Sequence, residues 1–188
     1  MKTWMRKALG TTVVLSVALA TSSALAGGGP VNNGDFEKPD AGSTWITYSK
    51  GETFKGWTVA RGSIDLIGEL WQAATGKQSI DLAGFSEGAI SQVVVTTPGQ
   101  PYLLTFALAG NPDPACGPLE IRHMRVRFDG AIVGVFSFDP TGHSTEDMGW
   151  VTESIEVVPK TDRTTLRFRG LDGGCAGAAI DSVQLQPA

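Results

Sequence analysis

Two cysteines and two histidines are all that the 188 residues offer as thiolate and imidazole metal ligands. Neither His123 nor His143 stands at ligand spacing from Cys116 or Cys175, which argues against a zinc site. There is no HExxH helix motif, no phosphate-cradling glycine loop and no basic patch with interleaved aromatics. The one long apolar run, Ala8–Ala20, is too short to span a bilayer. No segment after it holds a helical period, so a helical fold is excluded as well. Charge is sparse and tilts acidic, with 19 Asp and Glu against 15 Lys and Arg. A net charge of −4 disfavours nucleic acid and anionic membranes as partners.

What is present begins with a leader. Lys2, Arg6 and Lys7 precede the apolar run, and Ala24-Leu25-Ala26 closes it with a small-x-small pattern. Residues 1–26 therefore read as a secretory signal peptide, leaving 162 residues as one domain, 27–188. Loss of the three leader cations takes the formal charge from −4 to −7. The residue after the cut is Gly27 rather than Cys, so no lipoprotein anchor is expected. Export would place Cys116 and Cys175 in an oxidising compartment, where a disulfide is expected and two free thiols are the alternative. Such a bridge closes a loop of 59 positions, worth about 4 kcal/mol on the chain-entropy model.

The mature chain reads as short strands parted by turns. Lys38–Gly56 is polar and irregular and is expected to be a long loop, carrying Trp45, Tyr48 and Phe54. Strands are expected at Trp57–Val59, Gly88–Val95, Tyr102–Ala109, Ile121–Phe128, Ala131–Phe138, Trp150–Val158, Thr164–Gly170 and Ala179–Leu185. Asp129-Gly130 is a hairpin signal. In Ile121–Phe128 the alternation sends Met124, Val126 and Phe128 inward and His123, Arg125 and Arg127 outward. Arg125, Arg127, Arg167 and Arg169 are expected to be solvated strand faces. This spacing, with 24 glycines and 10 prolines, predicts an all-β sandwich or jelly roll.

The tetrad Ser-Ile-Asp-Leu occurs twice, at Ser63–Leu66 and Ser79–Leu82. As strands, both copies put Ile and Leu on one face and Ser and Asp on the other. The loop between them carries Trp71 and Gln72. An aromatic ring can stack on the C–H face of a sugar while amides and carboxylates bond its hydroxyls. The candidate ligand residues are Trp71 with Tyr48 or Trp45, and Gln72, Gln78, Asn111 and Asp113. The alternative for Trp71 is packing; Trp57 and Trp150 lie in strand patterns and are expected in the core.

Asp181 shares strand parity with Val183 and Leu185, which puts a carboxylate on the core side. A buried carboxylate needs a partner. Calcium, held with Glu37 and backbone carbonyls, is one; backbone N–H groups are the other. Gly84–Gly88 matches G-x-S-x-G, with Asp129 and His143 available to Ser86. That mechanism needs a strand-to-helix turn, and the motif here leads into a valine-rich run, so catalysis is not expected. Carboxylate pairs for glycosidase work are uninformative among 19 acids.

Several motifs together resemble a known family: VNNGDFE at Val31–Glu37, GWTV at Gly56–Val59, SIDLIG at Ser63–Gly68, WQAATGKQSIDLAG at Trp71–Gly84, AISQ at Ala89–Gln92, TTPGQPYLLTFALAGNPD at Thr96–Asp113, Gly149-Trp150 and AIDSVQL at Ala179–Leu185. The chain resembles the bacterial choice-of-anchor C proteins, related to the plant cell-wall proteins grouped as domain of unknown function 642. The resemblance implies a galactose-binding-like jelly roll, extracellular and binding cell-wall or matrix polysaccharide. It also implies a calcium site mapping onto Glu37 and Asp181. Many members end in an anchoring segment; here the sequence stops just after its last strand, which favours a released or periplasmic protein. The expected function is a secreted, non-enzymatic glycan-binding module. The alternatives are a structural or adhesive matrix protein with a protein partner, and a serine hydrolase using Ser86.

Overall fold

A computed structural model describes residues 30–188. The expected signal peptide lies outside them. Among the described residues the fold is all-β, with twelve strands in two antiparallel six-stranded sheets. In chain order the strands are β1 (Trp45–Ser49), β2 (Thr53–Phe54), β3 (Trp57–Arg61), β4 (Ser63–Ile67), β5 (Ser79–Asp81), β6 (Ala89–Val95), β7 (Tyr102–Gly110), β8 (Arg122–Phe128), β9 (Ala131–Phe138), β10 (Val151–Val157), β11 (Arg163–Gly170) and β12 (Ala178–Pro187). The first sheet runs β1-β4-β5-β12-β7-β10 and the second β2-β3-β6-β11-β8-β9. Among the described residues the only helix is one 3-10 turn, Pro114–Cys116, and no helix is long and apolar enough to cross a membrane.

The two sheets bury one shared core, and alternation decides what enters it. Leu104, Phe106 and Leu108 of β7 face Met124, Val126 and Phe128 of β8 across it, as their parity predicts. Aromatics bridge the sheets as a chain: Phe36 to Trp57 at 5.5 Å, Trp57 to Phe168 at 6.2 Å, and Phe168 to Phe106 at 5.2 Å, edge to face. Asp129 and Gly130 both have positive φ, 51° and 77°, the backbone that a two-residue hairpin requires. The expected long loop at Lys38–Gly56 instead contains β1 and β2. Residues 45–49 alternate weakly and lie on a sheet edge, where one-sided pairing with β4 replaces a strong hydrophobic signal.

The repeated tetrads become neighbours. Strand β4 pairs antiparallel with β5, so Leu66 faces Ile80 on the core side and Asp65 faces Asp81 on the other. The disulfide joins Cys116 and Cys175 with their Cα atoms 5.5 Å apart. It ties the loop after β7 to the loop before β12.

Candidate functional site

The predicted ligand residues do not converge. Trp71 is 5% exposed, and its indole N–H donates to Ser79 Oγ at 2.7 Å. It is a packing residue, not an open stacking platform, because its one polar atom already has a buried partner. Gln78 is 2% exposed; its amide N–H groups donate to the Phe36 and Pro39 carbonyls, and its Oε1 accepts from Ala41 N. All its hydrogen-bonding capacity goes into holding the 36–41 turn. Asn111 is buried too, donating to Asp81 Oδ2 at 2.8 Å and to the Cys175 carbonyl at 3.2 Å. Asp113 caps the 3-10 turn by accepting from Ala115 N at 2.8 Å. Tyr48 lies half-buried on β1 with its ring 5.0 Å from Phe54. Gln72 stays exposed, and its carbonyl accepts the Trp150 indole N–H at 2.8 Å. That bond explains why Trp150, expected in the core, is only half-buried: it covers the 71–76 loop instead. Trp45 is half exposed on the edge strand β1. Trp71 and Gln72 line one shallow concavity and Asp113 N donates to Asn111 Oδ1 at 2.8 Å, but the two pairs, Tyr48 and Gln78 do not come together at one site, and most of them are scaffold.

The two proposed metal residues do meet, through one loop. Glu37 Oε1 accepts from Lys77 N at 2.8 Å and Gln78 N at 3.0 Å. Asp181 Oδ2 accepts from Thr75 N at 2.9 Å. The parity reading of Asp181 needs correction. A bulge at Ser182, with φ 53°, shifts the register between Asp181 and Gln184. Asp181 therefore pairs with Ala107 on the outer side of its sheet, while Val183 and Leu185 stay in the core. It is fully buried beneath the 74–78 loop. Burial, opposed by the amide N–H groups and helped by the Glu37 charge, pushes its carboxyl up to about 7. The pair suits a hard cation in kind, with two carboxylates bonded to one loop and a raised carboxyl that a cation would relieve. Among the described residues no third His, Cys, Asp or Glu joins them, so the remaining ligands would have to be backbone carbonyls.

A second buried carboxylate lies on the same outer face. Asp81 accepts from Ala83 N, Gly177 N and Asn111, and burial drives it up to about 8 despite those bonds. Asp65 beside it is also raised by burial, partly offset by the Thr47 hydroxyl that donates to it at 2.6 Å.

An open concavity lies elsewhere. A groove of about 540 Å³ crosses the outer face of the second sheet, lined by Arg61, Glu87, Arg125, Arg127, Arg167 and Arg169 with Lys50 at its margin. Two R-x-R strands build its floor. In the ladder between β8 and β11, Arg127 pairs with Arg167 and Arg125 with Arg169. These arginines were expected to be freely solvated. They are half-buried, and the Nε atoms of all four are enclosed with no hydrogen-bond partner. One carboxylate serves the group: Glu87 accepts from Arg169 at 2.7 Å and from Arg61 at 2.9 Å. Arg169 first, then Arg61, hold its carboxyl below the ordinary value. Beyond the arginines, β9 presents Ile132 opposite Arg127 and Val135 opposite Arg125, both more than half exposed. Phe85, 82% exposed, stands in the 84–88 loop at the groove's end.

The 84–88 loop also disposes of a serine nucleophile. It joins β5 to β6, closed by a bridge between Ala83 and Glu87, with no helix following. Asp129 accepts from Lys160 N, and the His143 ring packs on Phe138 at 5.4 Å; neither bonds Ser86.

Comparison with known proteins follows the fold. A family 61 carbohydrate-binding module in complex with β-1,4-galactotriose superposes with a TM-score of 0.50 at 14% identity, over 85% of this chain and 99% of that one. A CBM36-1 domain of a multidomain xylanase from the hindgut metagenome of Trinervitermes trinervoides also gives 0.50 at 14% identity, over 77% of this chain and 98% of that one. At such identity the likeness establishes the jelly-roll, galactose-binding-like fold. Halomucin from Haloquadratum walsbyi is 26% identical over 158 residues, which is 82% of this chain; the chain spans about 2% of that protein's length. A family described as a protein of unknown function, DUF642, matches residues 29–186. The chain belongs to the DUF642 family.

Proposed function

We propose that this protein is an extracellular, non-catalytic module that binds polysaccharide of a cell wall or matrix through the groove on its second sheet. One observation carries the reading: a jelly roll of the carbohydrate-binding-module type leaves one sheet face open, concave and lined with hydrogen-bond donors. Guanidinium forks meet ring and glycosidic oxygens, while Ile132, Val135 and Phe85 offer apolar surface for sugar C–H faces. The disulfide and the leader sequence support export, and the narrower kinship with the choice-of-anchor C proteins belongs to the same proposal. A structural calcium ion at Glu37 and Asp181 is part of it as well. There the ion would clip the first turn to the last strand and supply no chemistry at the groove.

Native affinity electrophoresis through gels containing single polysaccharides tests the function. The expected result is retardation by at least one polymer, with no reducing ends released from it. Unretarded migration through every polymer, neutral and acidic, would overturn the reading.

A further inference from the structure

The groove's charge does not balance, and the imbalance names a ligand. Five arginines line it, and one carboxylate, Glu87, answers two of them. Among the described residues Arg125, Arg127 and Arg167 have no carboxylate within 4.0 Å. They are not scattered cations on a wet surface. The ladder sets Arg127 against Arg167 and Arg125 against Arg169, like charge directly facing like charge, an arrangement that weakens a sheet. Their Nε atoms are enclosed with no protein partner. All this sits in a chain whose net charge is −4, so the remaining surface is more acidic still.

A fold that concentrates cations on one face against its own overall sign is arranged for an anion that comes from outside. We infer that the groove recognises an acidic polysaccharide, whose carboxylate or sulfate groups seat between the paired guanidiniums of β8 and β11. This rests on the carbohydrate-binding reading and narrows it. The chemistry fits in three ways. A guanidinium fork takes a carboxylate or sulfate through two parallel N–H bonds. Successive outward arginines on one strand stand about 6.7 Å apart, so a chain laid along the strands meets charge at repeated intervals. Ile132 and Val135 extend the floor with flat aliphatic surface rather than a second row of charge, which suits a ring with an apolar face. A nucleic acid fits less well. The acidic remainder would repel a long, densely charged duplex, and the single exposed ring, Phe85 at the groove's end, cannot form the row of aromatics on which successive bases stack.

The test is affinity electrophoresis and titration calorimetry of the whole mature chain against four probes: polygalacturonate, dextran sulfate, neutral β-1,4-galactan and single-stranded DNA. Binding to polygalacturonate or dextran sulfate is expected, and the stronger of the two shows whether carboxylate or sulfate is preferred. Affinity should fall steeply between about 50 and about 500 mM NaCl, as counterion release requires. The double variant Arg127→Ser, Arg167→Ser should lose about tenfold or more in affinity while unfolding no earlier on heating. Arg167→Lys, which keeps charge but loses the fork, should fall between the two. Preference for neutral galactan, unaffected by the double substitution, would overturn this inference and leave the carbohydrate reading standing. Tighter binding of DNA than of either acidic polysaccharide would overturn it in favour of a nucleic acid. Failure of every probe would overturn this inference, whereas the carbohydrate reading falls only if no polymer of the wider electrophoresis panel retards the chain.

Discussion

Arg127 stands directly opposite Arg167 in the ladder between β8 and β11, each with its Nε enclosed and unbonded. No local stability argument favours that pairing. Facing like charges in a sheet destabilise by up to about 1 kcal/mol, and cross-strand neighbours are normally chosen to avoid it. Arg127→Thr, which keeps strand propensity and removes one charge, should therefore raise the melting temperature by about 1 to 3 °C in low salt. Differential scanning calorimetry at low and high salt checks this. A drop in melting temperature would mean that the arginines hold the sheet together.

The two buried aspartates predict an unusual pH profile. Burial raises Asp81 from 3.8 to about 8 and Asp181 from 3.8 to about 7. Between those limits the folded chain keeps protons that the unfolded chain has released. Their contribution is complete below the unfolded value and is lost as pH climbs through 7 and then 8. Urea midpoints should thus fall from about pH 5 to about pH 8, whereas the half-buried Glu87, lowered by its arginines, acts only at the acid end. Asp81→Asn should flatten the profile while costing about 1 to 2 kcal/mol, since its new amide meets the Asn111 amide that now donates to it. An unchanged slope in that variant would remove Asp81 from the account.

Calcium bears on the same profile. If an ion bridges Glu37 and Asp181 as proposed, adding it should raise the melting temperature and abolish the Asp181 share of the pH dependence, because the cation keeps the carboxylate ionised. A chelator should reverse both effects. Identical melting curves with calcium and with chelator would leave the amides of the 74–78 loop and of Ser182 as the partners of the two carboxylates.

Trp71 separates packing from binding. Its ring is buried and its indole N–H is bonded to Ser79, so Trp71→Ala should cost about 3 to 5 kcal/mol in urea unfolding. Wherever the variant stays folded, its affinity for polysaccharide should match that of the parent. A stable variant that no longer binds would return the ligand site to the 71–76 loop.

The Cys116–Cys175 bridge closes 59 positions and should contribute about 4 kcal/mol through the unfolded chain. Replacing both cysteines with serine, followed by urea denaturation, measures it. The groove lies on the opposite sheet from Asn111 and Asp81, so binding by the folded fraction should persist.

The fold was legible because its signals are local. The Tyr102–Ala109 and Ile121–Phe128 alternations, the Asp129-Gly130 turn and the tetrads each carry their own period, and each formed the element it specifies. Strand β1 escaped because an edge strand needs no strong hydrophobic face. Asp181 was misplaced by one inserted residue: the Ser182 bulge reverses parity, and nothing in Ile-Asp-Ser-Val announces a bulge. The site was hidden for a different reason. Each R-x-R triplet, Arg125-Val126-Arg127 and Arg167-Phe168-Arg169, reads as the wet side of a strand. Only the register between strands about 40 residues apart turns two ordinary triplets into four facing guanidiniums. Trp71 misled in the opposite way, since a loop position gives no sign that Ser79 waits beneath it.

The most direct measurement is a two-dimensional NMR titration of the isotope-labelled chain with an oligosaccharide of galacturonate, following the arginine Nε–H resonances together with the backbone amides. The account predicts that the Nε–H signals of Arg125, Arg127, Arg167 and Arg169 move first and saturate together, while the amides of Trp71, Gln72 and Asn111 stay still. Movement confined to the Trp71–Gly76 loop, with the arginine signals unchanged at saturation, would contradict it.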